Sequence, residues 1–151
     1  MNPSQPGYLR LVRASAWYDL VVTAGFVTPW TYALVHAALS WTGETLGVGA
    51  LPAREPMQVL HANLMGSVVV VWSALRLRAT LPVHGLYDGA ARVLFSLWMA
   101  YALGAGASGV LWPFLAVETA WGVVQLAPWW RARAGAAGRR GANRPAAGQG
   151  A

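Results

Sequence analysis

Four long apolar stretches, separated by short polar or glycine-rich connectors, fill the chain from Trp17 to Trp130. A helix crosses the hydrocarbon of a bilayer with about 20 mostly apolar residues. The pattern therefore predicts transmembrane spans over residues 17–41, 57–77, 86–103 and 110–130. Between the first two, Gly43, Gly47, Gly49, Pro52 and Pro56 interrupt helices. Residues 78–85 and the run Gly104–Gly109 form the other connectors. Residues 86–130 cannot be one helix, because about 45 residues would reach roughly 67 Å, twice the hydrocarbon thickness. The Val-rich segment Ser67–Leu75 has strand-like propensity, but four spans cannot close a barrel and in lipid only helices then satisfy the backbone.

The expected fold is all-α: an integral membrane four-helix bundle in one domain, residues 1–130, followed by a disordered Arg/Ala/Gly-rich tail over 131–151. Arg10 and Arg13 precede the first span as they would in a signal peptide. The apolar run exceeds the roughly 7–15 residues of a signal h-region and contains Asp19, Pro29 and His36, so it reads as a retained span. Pro29 predicts a kink there, with Thr28 and Thr31 satisfying the freed carbonyls.

Charge sets the orientation. Arg10 and Arg13, then Arg76 and Arg78, then five Arg after residue 130 mark three segments as cytoplasmic. The first loop sets only Arg54 against Glu44 and Glu55, and the third loop carries no charge. Both termini are thus expected inside a bacterial-type inner membrane. Trp17, Trp41, Trp112, Trp129 and Trp130 fall at span ends, where indole rings favour the headgroup zone. Trp30, Trp72, Trp98 and Trp121 lie deeper and need partners inside the bundle.

Composition narrows the chemistry. The chain has 151 residues with 56% hydrophobic and 11% charged, against about 25% charged in a soluble domain. No cysteine is present, which removes disulfides, thiolate metal sites and thiol nucleophiles. The net charge of +6 sits largely in the tail, which has no aromatic residue to stack on bases, so nucleic acid is not expected as a partner. Anionic lipid is the expected partner of the tail. No nucleophile elbow, phosphate loop, paired-carboxylate pattern or HExxH occurs, so no catalytic residue and no metal site are assigned and enzyme activity is not the favoured reading.

Tyr18-Asp19 precedes Tyr32-Ala33-Leu34 by fourteen residues, and Tyr87-Asp88 precedes Tyr101-Ala102-Leu103 by the same offset. This pattern suggests a parallel 2+2 internal repeat, with coincidence in a biased composition as the alternative.

Ionisable groups at membrane depth face the bundle interior. Asp19, Asp88 and Arg92 are expected as a structural charge cluster near the cytoplasmic interface, docking the third helix on the first. Arg92, Ser96, Ala100 and Gly104 extend one small-residue face at spacing four. Glu118 shares a stripe with Gly122 and Gln125. His61 lies roughly 6 Å further out by helical rise, His36 a few ångströms beyond it, and Asn63 toward the outer part of the second span. Glu118, His61, Asn63, His36 and Gln125 are candidates for an outward-facing ligand or proton pocket, the plainer reading being hydrogen bonds of Glu118 with His61 or Asn63. A bis-His haem on His36 and His61 is a further alternative. The function expected is that of a small multi-pass membrane protein working through helix contacts, as an accessory subunit or homo-oligomer. The alternatives are a small carrier with a pocket near Glu118 and His61, or a haem- or metal-binding subunit or enzyme.

Overall fold

The computed structural model describes residue 3 and residues 5–142, with side chains up to Gly135. It is all-α among the described residues. The order is α1 (Pro6–Ala24), α2 (Pro29–Thr45), α3 (Pro56–Arg78), α4 (Pro82–Gly104) and α5 (Leu111–Ala142). The first four begin on Pro6, Pro29, Pro56 and Pro82. Proline suits that position, because the first N–H of a helix has no intrahelical acceptor to lose.

Pro29 corrects the expected first span over 17–41. It starts a helix instead of kinking one. Thr28 is extended, at φ −123° and ψ 154°, as the residue before a proline prefers. Its hydroxyl accepts from Thr31 N–H at 3.2 Å, and the Thr31 hydroxyl accepts from Thr28 N–H at 3.3 Å. This reciprocal cap completes the start of α2, and α2 leaves α1 at an angle of 94°. The connector expected over 78–85 shortens to residues 79–81, because α4 starts at Pro82. The tail expected to be disordered from Arg131 is helical to Ala142; residues 143–151 lie outside the described residues.

Among the described residues one helix, Pro56–Arg78, is long and apolar enough to cross a membrane, and there are two such segments if α1 and α2 are counted as one bent span. Helices α4 and α5 fall short of the four-span expectation because Asp88, Arg92, Glu118 and Gln125 lower their hydropathy. The repeat does not carry into shape. Asp19 and Tyr32 are separated by the α1–α2 break, whereas Asp88 and Tyr101 share the unbroken α4.

Helix α1 packs on α3, and α4 packs on α5; α1 then bridges the two pairs by touching α4 and α5. Small residues make the close seams. A Cβ on Gly85 would collide with the Tyr8 hydroxyl and Val12, and one on Gly89 would meet Leu126 at 2.6 Å. Gly122 faces Arg92 Cβ. Gly104, on the small-residue face expected from sequence, has open space within 4 Å of where a methyl group would stand; the α4 seam runs through Gly85 and Gly89 instead. Helix α2 lies across the far end. Val48 accepts from Gly109 N–H at 2.9 Å, and Ser108 Oγ donates to Gly49 O at 2.5 Å, tying the loop after α2 to the α4–α5 turn.

Gly66 is where α3 meets the α1–α2 break, and an added Cβ would stand 2.7 Å from the Phe26 carbonyl carbon. Backbone cannot yield as a side-chain tip can. Gly66→Ala should therefore destabilise the fold by about 1–3 kcal/mol, while Gly104→Ala should be neutral or slightly stabilising. Thermal unfolding of both variants in one fixed amphiphile checks this; equal melting temperatures would refute the Gly66 contact.

Candidate functional site

The interior of the bundle is ionic. Arg76 is 0% exposed, and Ser15, Ser73, His84, Asp88, Arg92 and Gln125 are buried with it. Buried guanidiniums and carboxylates are tolerated only when paired and hydrogen-bonded, and here they are. Asp19 on α1 accepts from Arg92 Nη2 through Oδ1 and from Arg76 Nη2 through Oδ2, each at 2.7 Å. Asp88 on α4 accepts from Arg76 Nη1 through Oδ2 and from Trp72 Nε1 through Oδ1 at 2.8 Å. Glu118 on α5 accepts from Arg92 Nη1 through Oε2 at 2.5 Å.

Neutral side chains complete the network. Arg92 Nε donates to Gln125 Oε1 at 3.2 Å, and Nη2 donates to Ser15 Oγ at 2.9 Å. Gln125 Nε2 donates to the same Ser15 oxygen at 2.9 Å. Tyr8 donates to the Gln125 carbonyl at 2.9 Å and accepts from Trp129 Nε1 at 2.8 Å. The guanidinium faces are covered as well. Arg92 lies 5.6 Å from the Tyr18 ring and 5.7 Å from the Trp121 ring, and Arg76 lies 5.7 Å from Trp72. Only Arg76 Nε lacks a hydrogen-bond partner among the buried side-chain atoms described.

The structure brings Asp19, Asp88, Arg92, Glu118 and Gln125 into one cluster. It therefore joins the residues that the sequence pattern splits between a structural cluster and a pocket. The other pocket candidates lie elsewhere. Asn63 donates to Phe26 O at 2.8 Å, bracing the α1–α2 break. His61 Nδ1 sits 2.6 Å from Met57 O, and His36 Nε2 sits 2.9 Å from Pro52 O. The two histidines share a shallow pocket with Tyr32 and Gln58, apart from Glu118. The hydrogen bonds expected from Glu118 to His61 or Asn63 are replaced by its pair with Arg92. Among the described residues no group of three His, Cys, Asp or Glu is placed to hold a metal ion.

Charge patterning puts Arg76 in a cytoplasmic connector, yet it is the most buried charge in the molecule among the described residues. A signal exists in the sequence. Arg76 and Arg78 are two residues apart, so roughly 200° separates them around a helix, and one of them must turn inward if the other reaches the surface. Ser73 stands one turn before Arg76 and receives its Nη2 at 2.9 Å.

Beside this network lies a cavity of about 660 Å³, within the range that takes drug-sized ligands. Asp19, Asp88, Arg92 and Glu118 form one end. Ala102, Leu111 and Leu39 of α2 form the other. From Asp88 to Ala102 along α4 is about 21 Å by helical rise. The wall between is apolar and aromatic, including Trp72, Phe95, Trp98 and Phe114. Met65 and Val68 of α3 and Phe95 and Trp98 of α4 line it while remaining exposed, so the cavity opens sideways where α3 and α4 diverge.

Comparison with family models, with curated proteins and with solved structures finds no match to this chain.

The two-guanidinium network predicts strong coupling. Arg76→Met should destabilise by about 3–5 kcal/mol, because Asp19 and Asp88 are left facing each other without their shared cation. Adding Asp88→Asn should recover part of that loss. A double-mutant cycle on unfolding free energies measures it, and additive effects would exclude the pair.

Proposed function

We propose that the protein is a multi-pass membrane protein of the plasma (bacterial inner) membrane that binds an amphiphilic ligand in its lateral cavity. The observation that carries the membrane reading is the inversion of polarity. Trp30, Val21, Leu34, Val71 and Tyr101 are each about 70% exposed or more, while the buried set holds Arg76, Asp88, Arg92 and Gln125. In water such a molecule would gain little from apolar burial and would expose a large sticky surface. In lipid the apolar exterior is solvated, and interior polar contacts hold the helices together. The apolar window of α3 is only 11% buried, which suits a lipid-facing helix better than the core helix of a soluble protein.

In this reading α1, α3, α4 and α5 cross the bilayer and α2 lies over the outer end. With Arg76 drawn inside, Arg10, Arg13, Arg78, Arg131 and Arg133 remain exposed at one end, which supports cytoplasmic termini. Glu44, Arg54 and Glu55 lie at the other. The Arg-rich end of α5 is placed to meet anionic lipid at about 1 kcal/mol per Arg near the surface. Arg144, part of the same tail, lies outside the described residues.

The cavity joins an open apolar side, which would face acyl chains, to a charged end at about one helix-half depth. That combination favours a ligand that partitions into the bilayer and carries a polar group. Glu118 lines this cavity and His61 does not, so the carrier reading is re-centred on Glu118, Asp19 and Arg92. A role through helix contacts, as an accessory subunit or a homo-oligomer, would draw on the exposed apolar face and is the outcome if the cavity binds nothing.

The chain has no cysteine, so single-cysteine labelling is clean. In intact spheroplasts, Ala50→Cys should react with a membrane-impermeant maleimide, and Ala79→Cys should react only after permeabilisation. Equal labelling of both would refute the orientation. For the cavity, native mass spectrometry from mild detergent should show a bound small molecule or lipid that Ala91→Phe, which fills the space, removes. A ligand retained undiminished by that variant would place binding elsewhere.

A further inference from the structure

We infer that the cavity selects a lipophilic organic cation, a bulky ammonium- or phosphonium-type molecule with a single positive charge. The inference rests on the ligand-binding reading above and adds the sign of the ligand's charge. Three carboxylates, those of Asp19, Asp88 and Glu118, face the two guanidiniums of Arg76 and Arg92. One negative charge is left over. His84 stands outside the ionic network, its Nδ1 accepting from Leu81 N–H at 3.3 Å and its ring edge-on to Trp72.

What a ligand would touch at the charged end is carboxylate. The side chains of Asp19 and Glu118 are 16% and 15% exposed, against 0% for Arg76 and 4% for Arg92. The guanidinium of Arg92 is enclosed by Asp19, Glu118, Ser15 and Gln125 at its edges and by Tyr18 and Trp121 over its faces. An incoming anion would have to displace one of those partners. Glu118 Oε2 takes the hydrogen bond from Arg92, and Oε1 has no hydrogen-bond partner among the described residues. That oxygen is the acceptor left for a ligand.

The walls agree with the charge. The rings of Tyr18, Trp72, Phe95, Trp98 and Phe114 line the same space, and aromatic faces attract cations, most strongly where water is excluded. A small hydrated metal ion would need a cage of oxygens, which this largely apolar wall does not provide. A cation carrying its own apolar groups satisfies the rings and the surplus carboxylate at once, and one positive charge brings the cluster to neutrality.

Tetraphenylphosphonium and tetraphenylborate have nearly the same shape and opposite charge, so they separate charge from fit. Equilibrium dialysis of each against the full chain in zwitterionic nanodiscs, with empty nanodiscs subtracted, is the experiment. Saturable one-site binding of tetraphenylphosphonium is expected, with tetraphenylborate showing only partition. Ala91→Phe should abolish the saturable part. Glu118→Gln, checked for folding by its thermal transition, should weaken phosphonium binding by about tenfold or more. Saturable tetraphenylborate binding of equal or greater affinity overturns the charge assignment and leaves the cavity reading intact. If neither ion saturates, the cation assignment falls, and the native mass spectra of wild type and Ala91→Phe then decide whether the cavity reading falls with it.

Discussion

Asp19 holds two guanidiniums, one on each oxygen, and the arrangement of the bundle depends on that double bridge. Arg76 reaches it from α3 and Arg92 from α4, so a single carboxylate on α1 is shared between the two helix pairs. Neither arginine can leave without stranding a buried charge, and a stranded charge costs far more than an ordinary contact. The network therefore acts as one unit. Its geometry is made reachable by glycine. With side chains at Gly85 and Gly89, α4 could not come close enough to α1 and α5 for Arg92 to touch Asp19, Ser15 and Gln125 together.

The same packing explains why a cavity exists. Small residues line the seams of α4 with α1 and α5, but the gap between α3 and α4 is spanned by Trp72 and Arg76 reaching Asp88. Large side chains crossing a gap hold helices apart as firmly as they connect them. Beyond Asp88 no hydrogen bond joins α3 to α4 among the described residues, and the space extends as far as Leu39, Ala102 and Leu111.

Much of this is legible in the residues, and the failures have physical causes. The apolar runs locate α3, α4 and the start of α5 to within a few residues, because length and punctuation by Gly and Pro are local signals; the polar end of α5, past Trp130, carries no apolar signal and is missed. Asp19, Asp88 and Arg92 are recognisable as partners because charges set inside long apolar runs have few alternatives. The break at Pro29 reads as a kink in a hydropathy profile, although Thr28 and Thr31 spell a cap three residues apart around a proline at the first helical position. Hydropathy treats such a site as one apolar run. Arg76 is misplaced by charge counting because that rule averages over connectors and ignores which side of a helix a residue faces. Glu118 stands out by depth, but depth alone cannot choose among partners. Its neighbour is decided by the α4–α5 seam, where Gly122 admits Arg92, and not by proximity to any histidine.

Helix α1 connects the two ends of the cavity. Its Asp19 is part of the charged end, and four residues later the Thr23 hydroxyl donates to the Asp19 carbonyl at 2.6 Å just before the chain breaks at Gly25 to Thr28. The helix that follows carries Leu39 to the opposite end. Between Asp19 and α2 the chain crosses a joint after Ala24 that has no continuous helical hydrogen bonding across it. The joint is braced from the side, by Asn63 on Phe26 O and by Gly66 against Phe26, so α2 is held by α3 as well as carried by α1. Asp19 and α2 are thus connected through two elements, α1 directly and α3 by its contacts at Phe26.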